Sequence, residues 1–195
     1  IAEIHAAGAS FLKIYEMVTP EVFAAIVEEA GARNLPIDGH VPLSMRARDV
    51  APQVQSLEHL RNYEMDCVSD PDLWLAARQA ELANVANEPG NVLRSRLHTL
   101  QRLTAITNED PLVCSETTEA LKATITVPTL RMNSMDLYVP FDRDDFDRAM
   151  DLIPASVSEE WRNARDALAA SEEAVDTTFA EWSLRRTGEL HLAGA

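Results

Sequence analysis

Cysteine is scarce in this chain, positive charge is short and long apolar runs are missing, and each lack argues against a class of function. Cysteine occurs twice, at Cys67 and Cys114, with no CxxC pair. That speaks against a disulfide framework or a zinc knuckle. The two are expected to be structural thiols, since free cysteine is commonly just buried. Lys and Arg number 17 against 32 Asp and Glu, a net charge of -15. So acidic a surface repels phosphate backbones and anionic lipid, so neither nucleic acid nor a membrane surface is an expected partner. No stretch approaches the roughly 20 apolar residues of a membrane-spanning helix. An initiating methionine is also missing: the sequence runs from Ile1 to an apolar end at Ala195. An internal fragment is expected, with chain missing on both sides, so the lack of a signal peptide leaves localisation open.

What is present is ordinary globular composition. The chain has 195 residues, 46% hydrophobic and 25% charged. That suffices for one domain with a sizeable core. Its first half alternates short apolar segments with amphipathic ones. Ser10 to Tyr15 (SFLKIY) reads as a strand. Thr19-Pro20-Glu21 reads as N-cap, first-turn proline and first-turn acid. The helix it opens spaces Val22, Phe23, Ile26, Val27 and Ala30 along one face and ends near Gly31 to Asn34. Pro36 to Val41 and Ser56 to Leu60 read as the next strands, with a short helix over Ser44 to Val54 between them. This rhythm predicts βαβ units and a parallel sheet.

The middle breaks the rhythm. From Asp70 to about Thr107 two helices are expected, divided at Glu88 to Asn91, with a further helix from Ser115 to Ala123. The stretch over about 66–123 is read as a helical insertion at one mouth of the sheet. Thr124 to Leu130 (TITVPTL) is β-branched and reads as a fourth strand, with Pro128 ending its hydrogen bonding. An Asp-rich loop follows, from Asp136 to Asp147. Ser156 to Glu159 resembles a capping box and is expected to open a helix reaching about Thr187. Trp161, Leu168 and Val175 recur every seven residues, which predicts one buried stripe.

Three polar residues stand late in three successive predicted strands: Lys13, His40 and His59. Strand side chains alternate, so Phe11, Lys13 and Tyr15 share one face. A lysine inside so apolar a strand must be paired, modified or able to reach solvent, because a buried unpaired ammonium costs several kcal/mol. The three are separated by 27 and then 19 residues, about one βα unit each. In a parallel barrel such residues converge at the C-terminal mouth. Imidazole nitrogen suits zinc and similar divalent ions.

Gly8-Ala-Ser-Phe-Leu-Lys13-Ile-Tyr, Gly39-His40-Val-Pro and Ser56-Leu-Glu-His59-Leu resemble the motifs of strands 4, 5 and 6 of the amidohydrolase superfamily. Within that superfamily they look most like the imidazolonepropionase-related and prolidase-like enzymes. Val127-Pro-Thr-Leu130 is similar to their strand 7. The resemblance implies an α/β fold that is part of a (β/α)8 TIM-type barrel: about four βα units, with strands 1 to 3 and 8 outside this sequence. It implies a zinc or other divalent metal centre of one or two ions, with Lys13, His40 and His59 as ligands and Lys13 carboxylated in the two-ion form. It further implies a hydrolase of amide or other C–N bonds in a small-molecule substrate such as a cyclic amide, a dipeptide or an N-acyl amino acid. The strand-1 His-x-His pair and the strand-8 aspartate would fall outside Ile1 to Ala195, so the fragment alone is expected to be inactive. A barrel-derived binding or scaffold protein without metal is the alternative.

Other residues carry weaker expectations. Tyr15 shares the Lys13 face and is a candidate for lining the substrate pocket. Arg61, with Asn62, follows His59 into a loop and could hold a substrate carboxylate. Glu58 and Asp38 are read as supporting or helix-facing groups, and His98 as solvated. The acidic run Asp142, Asp144, Asp145 and Asp147 lacks the glycine and terminal glutamate of a calcium loop and is read as plain surface.

Overall fold

The computed structural model describes residues 1–83, 88–134, 137, 144–171 and 175–195. Its centre is one sheet of four parallel strands in the order β1-β2-β3-β4. The chain runs through α1 (Ala2–Ala6), β1 (Leu12–Ile14), α2 (Pro20–Ala32), β2 (Ile37–Gly39), α3 (Ala47–Val50) and β3 (Ser56–Glu58). Three helices come next: α4 (Pro71–Ala83), α5 (Gly90–Thr107) and α6 (Pro111–Leu121). β4 (Ile125–Val127), α7 (Leu130–Asn133), α8 (Phe146–Met150), α9 (Ala155–Ala169) and α10 (Thr178–Ala193) complete the order. An α/β molecule with consecutive parallel strands is thus observed.

The local chemistry of the first units is direct. Thr19 caps α2, its Oγ1 accepting from Val22 N at 3.3 Å, with Pro20 in the first turn. Phe23 and Ala30 turn inward from that helix. They meet Leu12, Ile14, Ile37 and Leu57 from one face of the sheet, together with Val41, Val50, Leu121, Trp182 and Leu190. The close fit of β1 to β2 depends on Gly39. Its φ is +136°, and a Cβ there would lie 2.2 Å from the Ile14 carbonyl oxygen. No side chain fits, so glycine is required one residue before His40.

The opposite face of the sheet is polar in the middle and apolar at its edges. Register aligns Lys13 with Asp38, Asp38 with Ser56 and Ser56 with Ile125. Phe11 and Tyr15 beside β1, and Ile125 and Val127 in β4, are exposed.

Between β3 and β4, helices α4, α5 and α6 are closed off at their base. Val68 and Glu109 form an antiparallel bridge, and Asp110 N donates to Cys67 O at 2.7 Å. The same closure joins Cys67 to Cys114 in a disulfide with Cα atoms 4.2 Å apart. The expectation of two free structural thiols is corrected here. The pair is 47 residues apart in sequence, and only the folding back of α4 and α5 brings its halves together. Helix α6 begins at Pro111 rather than Ser115, because the Asp110 side chain accepts from Leu112 N and Val113 N.

Beyond β4 three expectations are corrected. The single helix expected from Ser156 to Thr187 is two, α9 and α10. Ser156 does not cap, since α9 starts at Ala155 behind Pro154 with no side-chain cap. Trp161, Leu168 and Val175 are exposed rather than buried. The buried face belongs to α10, through Ala180, Trp182, Ser183, Arg186 and Leu190. The seven-residue recurrence starts on α9, which has no fully buried residue, and leaves that helix before Val175. Of the acidic run, Asp142 falls outside the described residues, whereas Asp147 pairs with Arg162 on the surface.

Candidate metal centre

The C-terminal ends of β1, β2 and β3 deliver Lys13, His40 and His59 to one place. Lys13 projects from the polar face of β1. His40 directly follows β2 and is held by its own backbone N–H donating to Ile14 O at 3.2 Å. His59 directly follows β3, and there the chain leaves strand geometry. Its φ is +67°, followed by +54° at Leu60 and +66° at Asn62. Strand alternation therefore stops at Glu58. Glu58 and His59, neighbours in sequence, both reach the same space.

The geometry is compact. Glu58 Oε2 lies 2.5 Å from Lys13 Nζ, 3.3 Å from His59 Nε2 and 3.8 Å from His40 Nε2. The rings of His40 and His59 are 4.8 Å apart, nearly edge to face. Donor atoms of His40, Glu58 and His59 all fall within 4.8 Å of one another. Each imidazole has a polar side chain beside its far nitrogen. His59 Nδ1 is 2.6 Å from Thr129 Oγ1, at the end of β4. His40 Nδ1 is 3.3 Å from Glu16 Oε1, an ion-pair distance without hydrogen-bond alignment. Both Nε2 atoms are thereby turned to the centre, and that of the buried His40 has no hydrogen-bond partner there. Two imidazole nitrogens and a carboxylate oxygen make a donor set that suits zinc or a similar divalent ion. A second grouping, Cys67, Glu109 and Cys114, offers no thiolate, because its sulfurs are bonded to each other.

Charge follows this geometry. The hydrogen bond to Glu58 holds the Lys13 ammonium above the usual lysine value. Burial, then His40 and Arg61 nearby, push the His59 imidazole down, towards the neutral form a metal ligand needs. Burial by itself would push the Glu16 carboxyl up. His40, His98 and Arg94 outweigh it and hold the group far below the carboxylate range.

Several residues stand elsewhere than the sequence suggested. Glu58 is at the middle of the cluster, not on a helix-facing side: alternation from Ser56 puts it on the Lys13 face, and the left-handed turn brings His59 to the same face. Asp38 lies on the same face and accepts from Ser56 Oγ at 2.7 Å. His98 is buried, not solvated, with Nε2 3.4 Å from Glu16 Oε1. Arg94, His98 and Arg102 stand four residues apart on α5, a polar stripe that an apolar search passes over. Tyr15 is exposed at the rim, its ring 4.7 Å from that of His40. Arg61 Nε lies 3.2 Å from Glu16 Oε1. Asn62 is buried, donating to Val41 O at 2.8 Å and accepting from Arg78 Nη1 at 2.6 Å.

No protein-family model matches the sequence. No curated protein aligns to it significantly. Among solved structures it superposes on a bottromycin amidohydrolase with a TM-score of 0.52 and 20% sequence identity. The superposition covers 98% of this chain and 35% of that one. The chain thus spans about a third of that structure's length and shares its fold over that span.

Proposed function

We propose that the chain is part of a metal-dependent hydrolase of amide or other C–N bonds in a small substrate, built as part of a (β/α)8 barrel. The observation that carries this is the convergence of His40 Nε2 and His59 Nε2 at the ends of adjacent parallel strands, with Thr129 Oγ1 hydrogen-bonded to the other nitrogen of His59 and the Glu16 carboxylate 3.3 Å from that of His40. Catalytic groups of parallel barrels gather at that end of the strands. The fold shared with an amidohydrolase supports the same reading. Zinc or a related divalent ion, one or two, would be held by His40 and His59 with Lys13 or Glu58. Such an ion supplies a water of lowered pKa and a polarised carbonyl.

The chain's own residues set a condition on Lys13. A carboxylated Lys13 would put two anions side by side, since Glu58 is 2.5 Å from its nitrogen. That arrangement requires cations between them, so lysine carboxylation and two-ion occupancy go together in this reading. With one ion, Lys13 remains an ammonium paired to Glu58. Tyr15, exposed beside His40, is the residue proposed to face the substrate. Arg61 is proposed to hold a substrate carboxylate, in which case it must release part of its contact with Glu16.

The test is elemental analysis of the whole enzyme of which this chain is proposed to be part, with His40→Ala and His59→Ala beside it, together with its turnover of dipeptide and cyclic-amide substrates. Both variants are expected to lose most bound zinc and at least a hundredfold in rate. Full metal occupancy in both variants would sink the proposal. NMR after exchange with isotopically labelled bicarbonate separates the two-ion form, which gives a carbamate carbon signal, from the one-ion form, which gives none.

A further inference from the structure

We infer that Glu16 is a positioning residue for His40, and that the helical insertion is part of the machinery that holds it. The inference rests on the metal-centre reading above and extends it to residues on which that reading is silent. Glu16 follows β1 and is wholly buried as a side chain. Four cations or imidazoles surround its carboxylate. Oε1 lies 3.3 Å from His40 Nδ1, 3.2 Å from Arg61 Nε and 3.4 Å from His98 Nε2, while Oε2 is in close contact with Arg94 Nε. These partners come from the end of β2, the turn after β3 and helix α5. One carboxylate ties the mouths of three strands to the insertion.

The consequence for His40 is directional. Its ring can present either nitrogen to the centre, and either tautomer is open to it in water. A buried carboxylate 3.3 Å from Nδ1, out of hydrogen-bond alignment, favours the proton on that nitrogen through its charge, which leaves Nε2 bare and facing Glu58 and His59. Outer partners of this kind orient a ligating histidine and raise its basicity. The carboxylate is itself fixed. Arg94 and His98 stand one turn apart on α5, so that helix cannot shift without displacing the group that orients His40. Further along α5, Arg102 approaches Glu64, and Gln101 accepts from Arg78 at 2.6 Å. This polar seam continues the same contact away from the site.

A substitution at Glu16 has a specific expected effect. In Glu16→Gln, Arg94 and Arg61 claim the single amide oxygen. The amide NH2 is left against His40 Nδ1, which favours the opposite tautomer. Zinc affinity is then expected to fall by about ten- to a hundredfold, the usual cost of losing an outer partner. A residue that only stabilised the fold would lower the melting temperature and leave zinc affinity and the His40 tautomer unchanged. Arg94→Met keeps the carboxylate and loosens its clamp, and a smaller loss, several-fold in affinity, is expected.

The experiment combines zinc titration of wild type, Glu16→Gln and Arg94→Met with nitrogen NMR of the imidazoles in the metal-free wild type. That second measurement needs no variant to fold. His40 protonated on Nδ1, with weakened zinc binding in Glu16→Gln, supports the inference. His40 protonated on Nε2 in the wild type, or equal zinc affinity in wild type and Glu16→Gln, overturns it and leaves the metal centre standing. Equal affinity in wild type and Arg94→Met overturns the part played by the insertion. A wild type that binds no zinc overturns the metal centre, and the NMR result then decides the positioning role separately.

Discussion

His59 reaches the centre through backbone that most residues avoid. Left-handed φ values at His59, Leu60, Asn62 and Thr129 cost of order 1–3 kcal/mol each and persist only where surrounding contacts enforce them. Asn133 is one of the enforcers, donating to His59 O at 2.9 Å and to Pro128 O at 2.8 Å. Asn133→Ala leaves both carbonyls unpaired and is expected to cost about 1–3 kcal/mol in urea unfolding, with weaker zinc binding through a freer His59. An unchanged unfolding midpoint would show that those two bonds hold nothing. His98 carries a pH prediction. Burial lowers its pKa from 6.5, Arg102 adds to that, and Glu16 opposes both without reversing them. The folded protein therefore keeps His98 neutral where the unfolded chain protonates it. Stability is full above about pH 6.5 and declines as pH falls through the folded value. Unfolding midpoints measured across that range should decline less steeply in His98→Gln, and an identical slope would count against a buried neutral His98. At this scale Lys13, His40 and His59 were legible as polar residues late in apolar strands. Glu58 was not, because strict alternation assigns neighbours to opposite faces and the left-handed turn at His59 breaks that rule. Glu16 carried no mark at all: a glutamate after a strand looks like surface until α5 is packed over it.

Among the elements, the strands and α2 announced themselves by apolar clustering and by the Thr19-Pro20 start. The paired cores of β1 to β4 are three residues each, shorter than the apolar runs around them, since pairing stops where the chain turns into the mouth. The later helices were harder to read. Helix α9 has an apolar recurrence but buries nothing, while α10 hides Arg186 and Ser183 among its inward residues. Pattern alone ranks those two helices in the wrong order, because partners decide burial and α10 has α5, α6 and α7 as partners. Helices α4 to α6 were visible as a break in rhythm, but their fastening was not. The Cys67–Cys114 bond closes a loop of 47 residues, a closure whose chain-entropy effect is about 4 kcal/mol. Cys114→Ser, or wild type under strong reductant, should melt substantially lower than the oxidised protein. The loss should be accompanied by weaker zinc binding, because α5 is held by that closure. Equal melting curves with and without reductant would mean that the base of helices α4 to α6 is secured by other contacts alone.

For the whole molecule, surface charge and exposed sheet work against each other. A net charge of -15 keeps copies apart. The polar face of the sheet meanwhile ends in exposed Phe11 and Tyr15 at one edge and Ile125 and Val127 at the other. Among the described residues the outer sides of β1 and β4 pair with no strand, and such edges recruit other chains. The 195-residue chain by itself is expected to associate increasingly as salt rises, since the Debye length shrinks to about 10 Å at 0.1 M. Light scattering across a salt series checks this, and a monomer at every ionic strength would refute it. The direction of the strands also dictates the symmetry of any such assembly. All four strands point the same way, so a parallel seam can only set the β4 edge of one copy against the β1 edge of the next. Two such seams about a two-fold axis would unite four strands with four, the eight of a closed barrel. If the curvature of the sheet does not bring the second seam together, the same joint repeats head to tail and grows without limit. The two outcomes differ in mass distribution: a discrete dimer in one case, an open-ended series in the other.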